Sequence, residues 1–250
     1  MNAELQKASI TKRIAAAILD FIVITILVTG VAAVLSSVLD FNSHIALLDE
    51  RQKHYEAEYN VKFDISQEDF EKLTQEEIKT YDTAYSALVG DDAFLQAISV
   101  TMSIITFSVM IGMLISEFCV PLWLKNGQTI GKKIFGLALI RVDGVQLTTF
   151  QLFVRSVLGK FTVETMIPIY ILIMIFFNTA SIIHLAILAI LLIGQVASVI
   201  ISKTDAAIHD HFAGTVVVDF ASQMIFHSKE DLLAYTKKIH AERANRSDYK

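Results

Sequence analysis

Four long apolar blocks set what this chain can fold into. Ile14 to Leu39 has Asp20 as its only charge, and Phe94 to Val120 has Glu117 as its only charge. Phe161 to Phe177 and Ile182 to Ile201 follow, joined by "NTAS". A helix rising 1.5 Å per residue needs about 20 mainly apolar residues to cross ~30 Å of hydrocarbon. Backbone groups have no water to bond with in lipid, so helices are the expected solution. The third block is the shortest and contains Glu164 and Pro168. A re-entrant pair or one bent segment is the rival reading of the last two blocks. At 54% hydrophobic residues, the chain exceeds the ~45–50% usual in soluble domains. The first block is too long for a signal peptide's apolar core, and Asp20 interrupts it.

These blocks divide the chain into an N-terminal arm with the first span (1–39), an acidic insertion (40–93), a second span (94–120), a basic segment (121–160), a third and fourth span (161–201) and a polar tail (202–250). Pro121 to Lys160 holds six bases, counting Lys125, against Asp143 alone, whereas Asp40 to Asp92 holds fourteen acids and five bases. Lys/Arg excess marks the cytoplasmic side. Both termini are therefore expected inside a cell membrane and the insertion outside, with Trp123 as an interfacial aromatic. The predicted fold is an all-α integral membrane protein: a four-helix transmembrane bundle with a helical extracytoplasmic insertion and a small cytoplasmic β/α motif.

The soluble segments have their own signals. Ser66 before "QED" reads as an N-cap, with Phe70, Leu73, Ile78, Tyr81 and Tyr85 at roughly helical spacing. His44 to Tyr59 is helix-friendly, and "NVKFD" separates the two into a helical hairpin. On the basic side, Leu137–Val142, "DG" and Val145–Leu147 read as a β-hairpin, and "GTVVVD" as a third strand. Thr148 and Gln151 have capping-box spacing. They open a helix that either lies at the interface or leads straight into the third span.

"GQTIGKK", with Gly127, Gln128, Thr129, Gly131, Lys132 and Lys133, superficially suggests a phosphate loop. Its glycines enclose three residues rather than four, Lys133 stands where a hydroxyl is needed, and no strand precedes it. It reads instead as a membrane-exit turn, with both lysines facing headgroups. The single cysteine, Cys119, excludes a disulfide framework. No nucleophile motif or metal-binding motif is present, so no enzyme, cofactor, nucleotide or nucleic-acid role is expected.

Taken together, "GQTIGKKIFGLALIRVDG", Gln151 with Arg155, Arg13 with Asp20, and "HDHFAGTVVVD" closely resemble the RDD family of small membrane proteins. The resemblance covers nearly the whole chain except the outer insertion and the polar tail. It makes Arg13 the family's arginine and Asp20 and Asp210 its two aspartates. The long insertion and the four spans depart from the family's usual pattern. Membership implies a helical membrane fold; some members are associated with transport, including sodium/proton exchange, and others with membrane assemblies.

Charges inside spans mark function or pairing. Asp20 lies seven residues beyond Arg13, and Glu117 eight before Lys125, which places both acids at similar depth on the inner side. Glu164 is spaced to pair with Lys160. Low dielectric favours the protonated form of a carboxylate, so Asp20, Glu117 and Glu164 are candidates for trading a proton for a small cation. The competing reading is a set of salt bridges, with Arg13, Arg155, Lys160 and Asp210 as charge partners and Arg13–Asp210 as the expected inner contact. Asn178, His184 and Gln195 read as interhelical hydrogen-bonders. Two functions follow: a proton-coupled transporter of small cations or solutes, or a scaffold that docks a protein partner or a second copy through the insertion or tail.

Overall fold

The computed structural model describes residues 5–124, 126–176, 179, 181–202 and 205–247. Lys125 and Asn178 lie outside the described residues. Among the described residues, four helices are long and apolar enough to cross a membrane: α1 (Ile10–Val38), α5 (Asp92–Leu124), α7 (Thr149–Ile175) and α8 (Ile182–Ile201). Between the first two come α2 (Phe41–Tyr59), α3 (Gln67–Phe70) and α4 (Gln75–Val89). The remaining elements are α6 (Ile130–Ile134), β1 (Leu137–Arg141), α9 (Ile208–Ala213), β2 (Thr215–Asp219) and α10 (Lys229–Ser247). In α1 only Ala16 and Asp20 are buried, while Phe21, Ile26 and Val38 stand exposed. Apolar surface on that scale needs lipid against it.

Two compact units divide the chain: Met1–Ile26 with Gly112–Lys250, and Leu27–Ile111. In the second unit, α2 ends where Asn60 takes a left-handed φ of 53°, at the "NVKFD" break expected from the sequence. Ser66 caps α3 by accepting from the Asp69 N–H. A second start then follows that the periodicity did not separate: Thr74 and Glu77 form a capping box and open α4. Phe63 meets Tyr81 edge-on at 5.6 Å, and Phe70 meets Tyr81 at 5.2 Å. This aromatic cluster packs α3 and the loop after α2 against α4, and Tyr55 of α2 donates to Asp91 just past α4 at 3.0 Å, so the insertion is the expected helical hairpin with a core of its own.

In the first unit, a two-stranded antiparallel ribbon pairs Leu137 with Asp219 through Arg141 with Thr215. "GTVVVD" is thus β1's main partner rather than a third strand. The "DG" turn does form, with the Gly144 N–H donating to Arg141 at 2.9 Å and Gly144 at φ 86°, but its return arm forms isolated bridges rather than a strand, from Gln146 to Ile140 and from Val145 to Phe226. The N-terminal arm supplies the other flank, bridging Lys7 to Val218. Both faces of the ribbon are covered. Leu137, Leu139 and Val217 pack with Ala8 and Ala16, whereas Ala138, Ile140, Val216 and Val218 pack with Leu5 and Ile225. Burial on both faces explains why these strands read as continuous apolar runs.

The segment opened by Thr148 does not lie flat at an interface. It runs on as one helix into the third span, and Val154–Met166 is wound as a π-helix. A shorter π-turn, Ile115–Cys119, sits within α5. Such turns are rare and tend to occur at functional sites.

Candidate functional site

Two clusters of buried charge occupy the first unit, and each joins residues far apart in sequence. The first forms around Asp20, which is 4% exposed. Its Oδ1 accepts the Gly131 backbone N–H at 2.7 Å, and its Oδ2 accepts the Thr129 hydroxyl at 2.5 Å. Lys132 Nζ lies 3.7 Å from the same Oδ2 and donates to Thr129 Oγ1 at 3.1 Å. The carboxylate therefore stands where the first amides of α6 are without intrahelical acceptors.

"GQTIGKK" is built for this contact. Gly127 turns the chain at φ 60°, and the Gln128 amide donates to the Leu137 carbonyl at 2.7 Å. Thr129 is the N-cap of α6. Gly131 is required for a different reason from Gly127: a Cβ there would come within 2.3 Å of the Ala16 carbonyl. The stretch is thus a dock for α1, not only an exit turn. Lys132 is buried while Lys133 is exposed, so only one of the pair can face headgroups. Adjacent residues on a helix point about 100° apart, since 3.6 residues complete a turn.

The second cluster forms where "HD" of α9 meets α7. Arg155 Nε donates to Asp210 Oδ1 at 2.8 Å, and Thr215 donates to the same oxygen at 2.9 Å. Burial by itself would raise the Asp210 carboxyl. The Arg155 guanidinium, His209 and these hydrogen bonds outweigh it and hold Asp210 well below the usual carboxylate range. Arg155 Nη2 lies 2.9 Å from His209 Nε2, and His209 Nδ1 lies 2.7 Å from Glu164 Oε1. A guanidinium cannot accept a hydrogen bond, so Nε2 is the acceptor and the neutral ring's proton sits on Nδ1, donated to Glu164. Burial and Arg155 lower the His209 pKa, against the pull of Asp210 and Glu164. Gly159 admits this approach, because a Cβ there would meet His209 Cβ at 2.7 Å.

Asp210 accordingly pairs with Arg155, and not with Arg13 as their shared place at the inner face suggested. Arg13 has no ion pair among the described residues. The Glu164–Lys160 pair is also replaced: Glu164 binds His209, and Lys160 reaches across to Glu117 Oε1. The π-wound segment has more residues per turn than an α-helix, so the i,i+4 alignment behind that expectation does not hold there. Gln195 does tie two helices, accepting the Ile208 N–H at 3.2 Å, but His184 caps its own helix at Ser181.

Glu117 is a further buried charge, tied to α7. It is 1% exposed and sits in the π-turn of α5. Ser156 donates to its backbone carbonyl at 2.6 Å. Oε1 takes Lys160, and Oε2 has no hydrogen-bond partner among the described residues. Lys132 responds to this charge as well as to Asp20. Burial pushes its amine down, Glu117 pulls it back up, Arg155 and Lys160 push down again, and the balance is about 8. The sequence marked Lys132 only as part of the exit motif, facing headgroups, and His209 only within "HDHFAGTVVVD"; neither reading foresaw a buried partner for them.

No curated protein and no solved structure matches the chain. Residues 7–214 match the profile of the RDD family. That range takes in Asp20, the "GQTIGKK" dock, Arg155 and the His209–Asp210 pair, and the chain belongs to the RDD family of membrane proteins.

Proposed function

We propose that this protein moves small cations or solutes across the bilayer in exchange for protons, with Glu117 as the coupling carboxylate. The observation that carries the reading is its buried Oε2, which has no hydrogen-bond partner among the described residues. A buried polar atom left this way is costly, and intramembrane acids mark ion pathways or pairing. Asp20 and Glu164 serve differently, since hydrogen bonds within the docks engage both oxygens of each. The basic side and both termini face the cytoplasm in this reading, and the acidic insertion faces out.

Cation-induced proton movement in everted vesicles tests it. Glu117→Gln, near-isosteric and uncharged, is expected to abolish exchange while the wild type retains it. Equal exchange by both rules out the reading. Asp20→Asn is expected to reduce the amount of folded protein instead, because its carboxylate holds α6. A scaffold role is the second reading, favoured by the insertion's separate aromatic core. Deleting residues 44–88 distinguishes them: lost partner co-purification with intact folding points to a scaffold.

A further inference from the structure

Arg13 is the cation that both docks leave out. It lies in the first turn of α1 and is partly buried. Its guanidinium has no ion pair and no hydrogen bond among the described residues. The carboxylates that could serve it are engaged by other groups: Asp219 by Lys12, Asp205 by Lys7, Asp20 by Thr129, Gly131 and Lys132, and Asp210 by Arg155 and Thr215. A guanidinium is a permanent cation, and a charge drawn out of bulk water needs an anion beside it. We infer that Arg13 binds the phosphate of an anionic phospholipid, in the leaflet at the N-terminal end of α1.

The surroundings of Arg13 select the anion. At about 100° per residue, Arg13 lies about 20° around α1 from Asp20 and about 60° from Ala16, with Ile10 about 60° away on the other side. Asp20 and Ala16 are buried, whereas Ile10 opens a stripe that Ile14, Ile18 and Phe21 continue, each more than half exposed. Arg13 therefore stands on the edge where the packed side of α1 gives way to its apolar exposed side, at the aqueous end of that stripe. A soluble phosphate uses the guanidinium and leaves the stripe bare. A phospholipid uses both, with its phosphate on Arg13 and an acyl chain along Ile14, Ile18 and Phe21. Charge selects among phospholipids. Lys7 and Lys12 are each held by a carboxylate, so Arg13 is the uncompensated cation of this stretch, and one phosphodiester balances it. A choline headgroup carries its own cation beside the phosphate and competes for it; a glycerol headgroup does not. The planar fork of a guanidinium can hold two phosphate oxygens at once, which an ammonium cannot match in geometry. Nothing in this site depends on Glu117, so it stands apart from the exchange reading.

The test is native mass spectrometry of the purified full chain, titrated separately with phosphatidylglycerol, phosphatidylcholine and inorganic phosphate. The first phosphatidylglycerol is expected to bind the wild type about tenfold or more tightly than the first phosphatidylcholine, and excess inorganic phosphate is expected not to displace it. Arg13→Gln is expected to lower phosphatidylglycerol affinity to about the phosphatidylcholine value. Ile10→Glu keeps the arginine but offers it a carboxylate three residues away on the helix, and the same loss is expected. Because Ile10 is exposed, this variant carries the test if Arg13→Gln does not fold. Lys133→Gln, which removes an exposed cation from α6, is expected to weaken binding far less. Unchanged phosphatidylglycerol affinity in Arg13→Gln or Ile10→Glu overturns the assignment, and so does an equal loss in Lys133→Gln, which marks general attraction to a basic surface. Equal affinity for the two lipids overturns the preference for an anionic headgroup. Displacement by inorganic phosphate marks a soluble-anion site and overturns the lipid.

Discussion

Single residues in the two docks matter through close approach and through charge. Gly131 admits the Ala16 carbonyl and the Asp20 carboxylate, both closer than any Cβ tolerates. Gly131→Ala is expected to cost about 1–3 kcal/mol as overpacking, toward the upper end because a backbone carbonyl cannot swing aside. Thermal unfolding in detergent measures this, and an unchanged midpoint contradicts the packing. His209 predicts a pH effect. The unfolded side chain takes up a proton near its ordinary 6.5, whereas the folded one resists because burial and Arg155 oppose the charge. The folded state thus binds fewer protons between those two values. The contribution is fully present above about 6.5 and is lost as pH falls below it. Unfolding at pH 7.5 and 5.5 should show a drop in wild type that His209→Gln reduces; an equal drop in both removes His209 as the cause.

At the scale of elements, winding decides which groups meet. Glu117 sits in the π-turn of α5 and Arg155 to Glu164 in the π-wound part of α7. That winding puts Arg155, Gly159 and Glu164 toward α9, and Lys160 toward Glu117. Helical periodicity alone did not reveal this, because it assumes 3.6 residues per turn throughout. In the insertion, by contrast, Ser66, the Asn60 break and the aromatic spacing were legible, since caps and turns are local chemistry. Phe63 is where those local signals become tertiary, as it meets both Tyr81 and Tyr85. Phe63→Ala is expected to cost the hairpin about 2 kcal/mol, less than a fully buried Phe because it is partly exposed. Faster amide exchange confined to residues 41–89 is the readout, and unchanged exchange there refutes the aromatic core.

The whole molecule is a multi-pass membrane protein whose expected orientation rests on charge. With Cys119→Ser as background, Lys62→Cys in the insertion should react with an impermeant maleimide on intact cells. Lys229→Cys, at the start of α10, should react only after permeabilisation. The reverse pattern inverts the topology. The spans, the insertion and the family motifs were readable from sequence by itself, because hydrophobic length, charge asymmetry and turn residues are properties of neighbouring residues. The partners of the buried charges were not. Asp20 reaches across 111 residues to Gly131, and Arg155 across 55 to Asp210. Only the folded chain decides which base meets which acid, since a buried charge must be paired by whatever packing brings within reach. That is why Asp210 closes on Arg155 rather than on Arg13, and why Lys132, which the sequence placed among headgroups, lies buried beside Asp20.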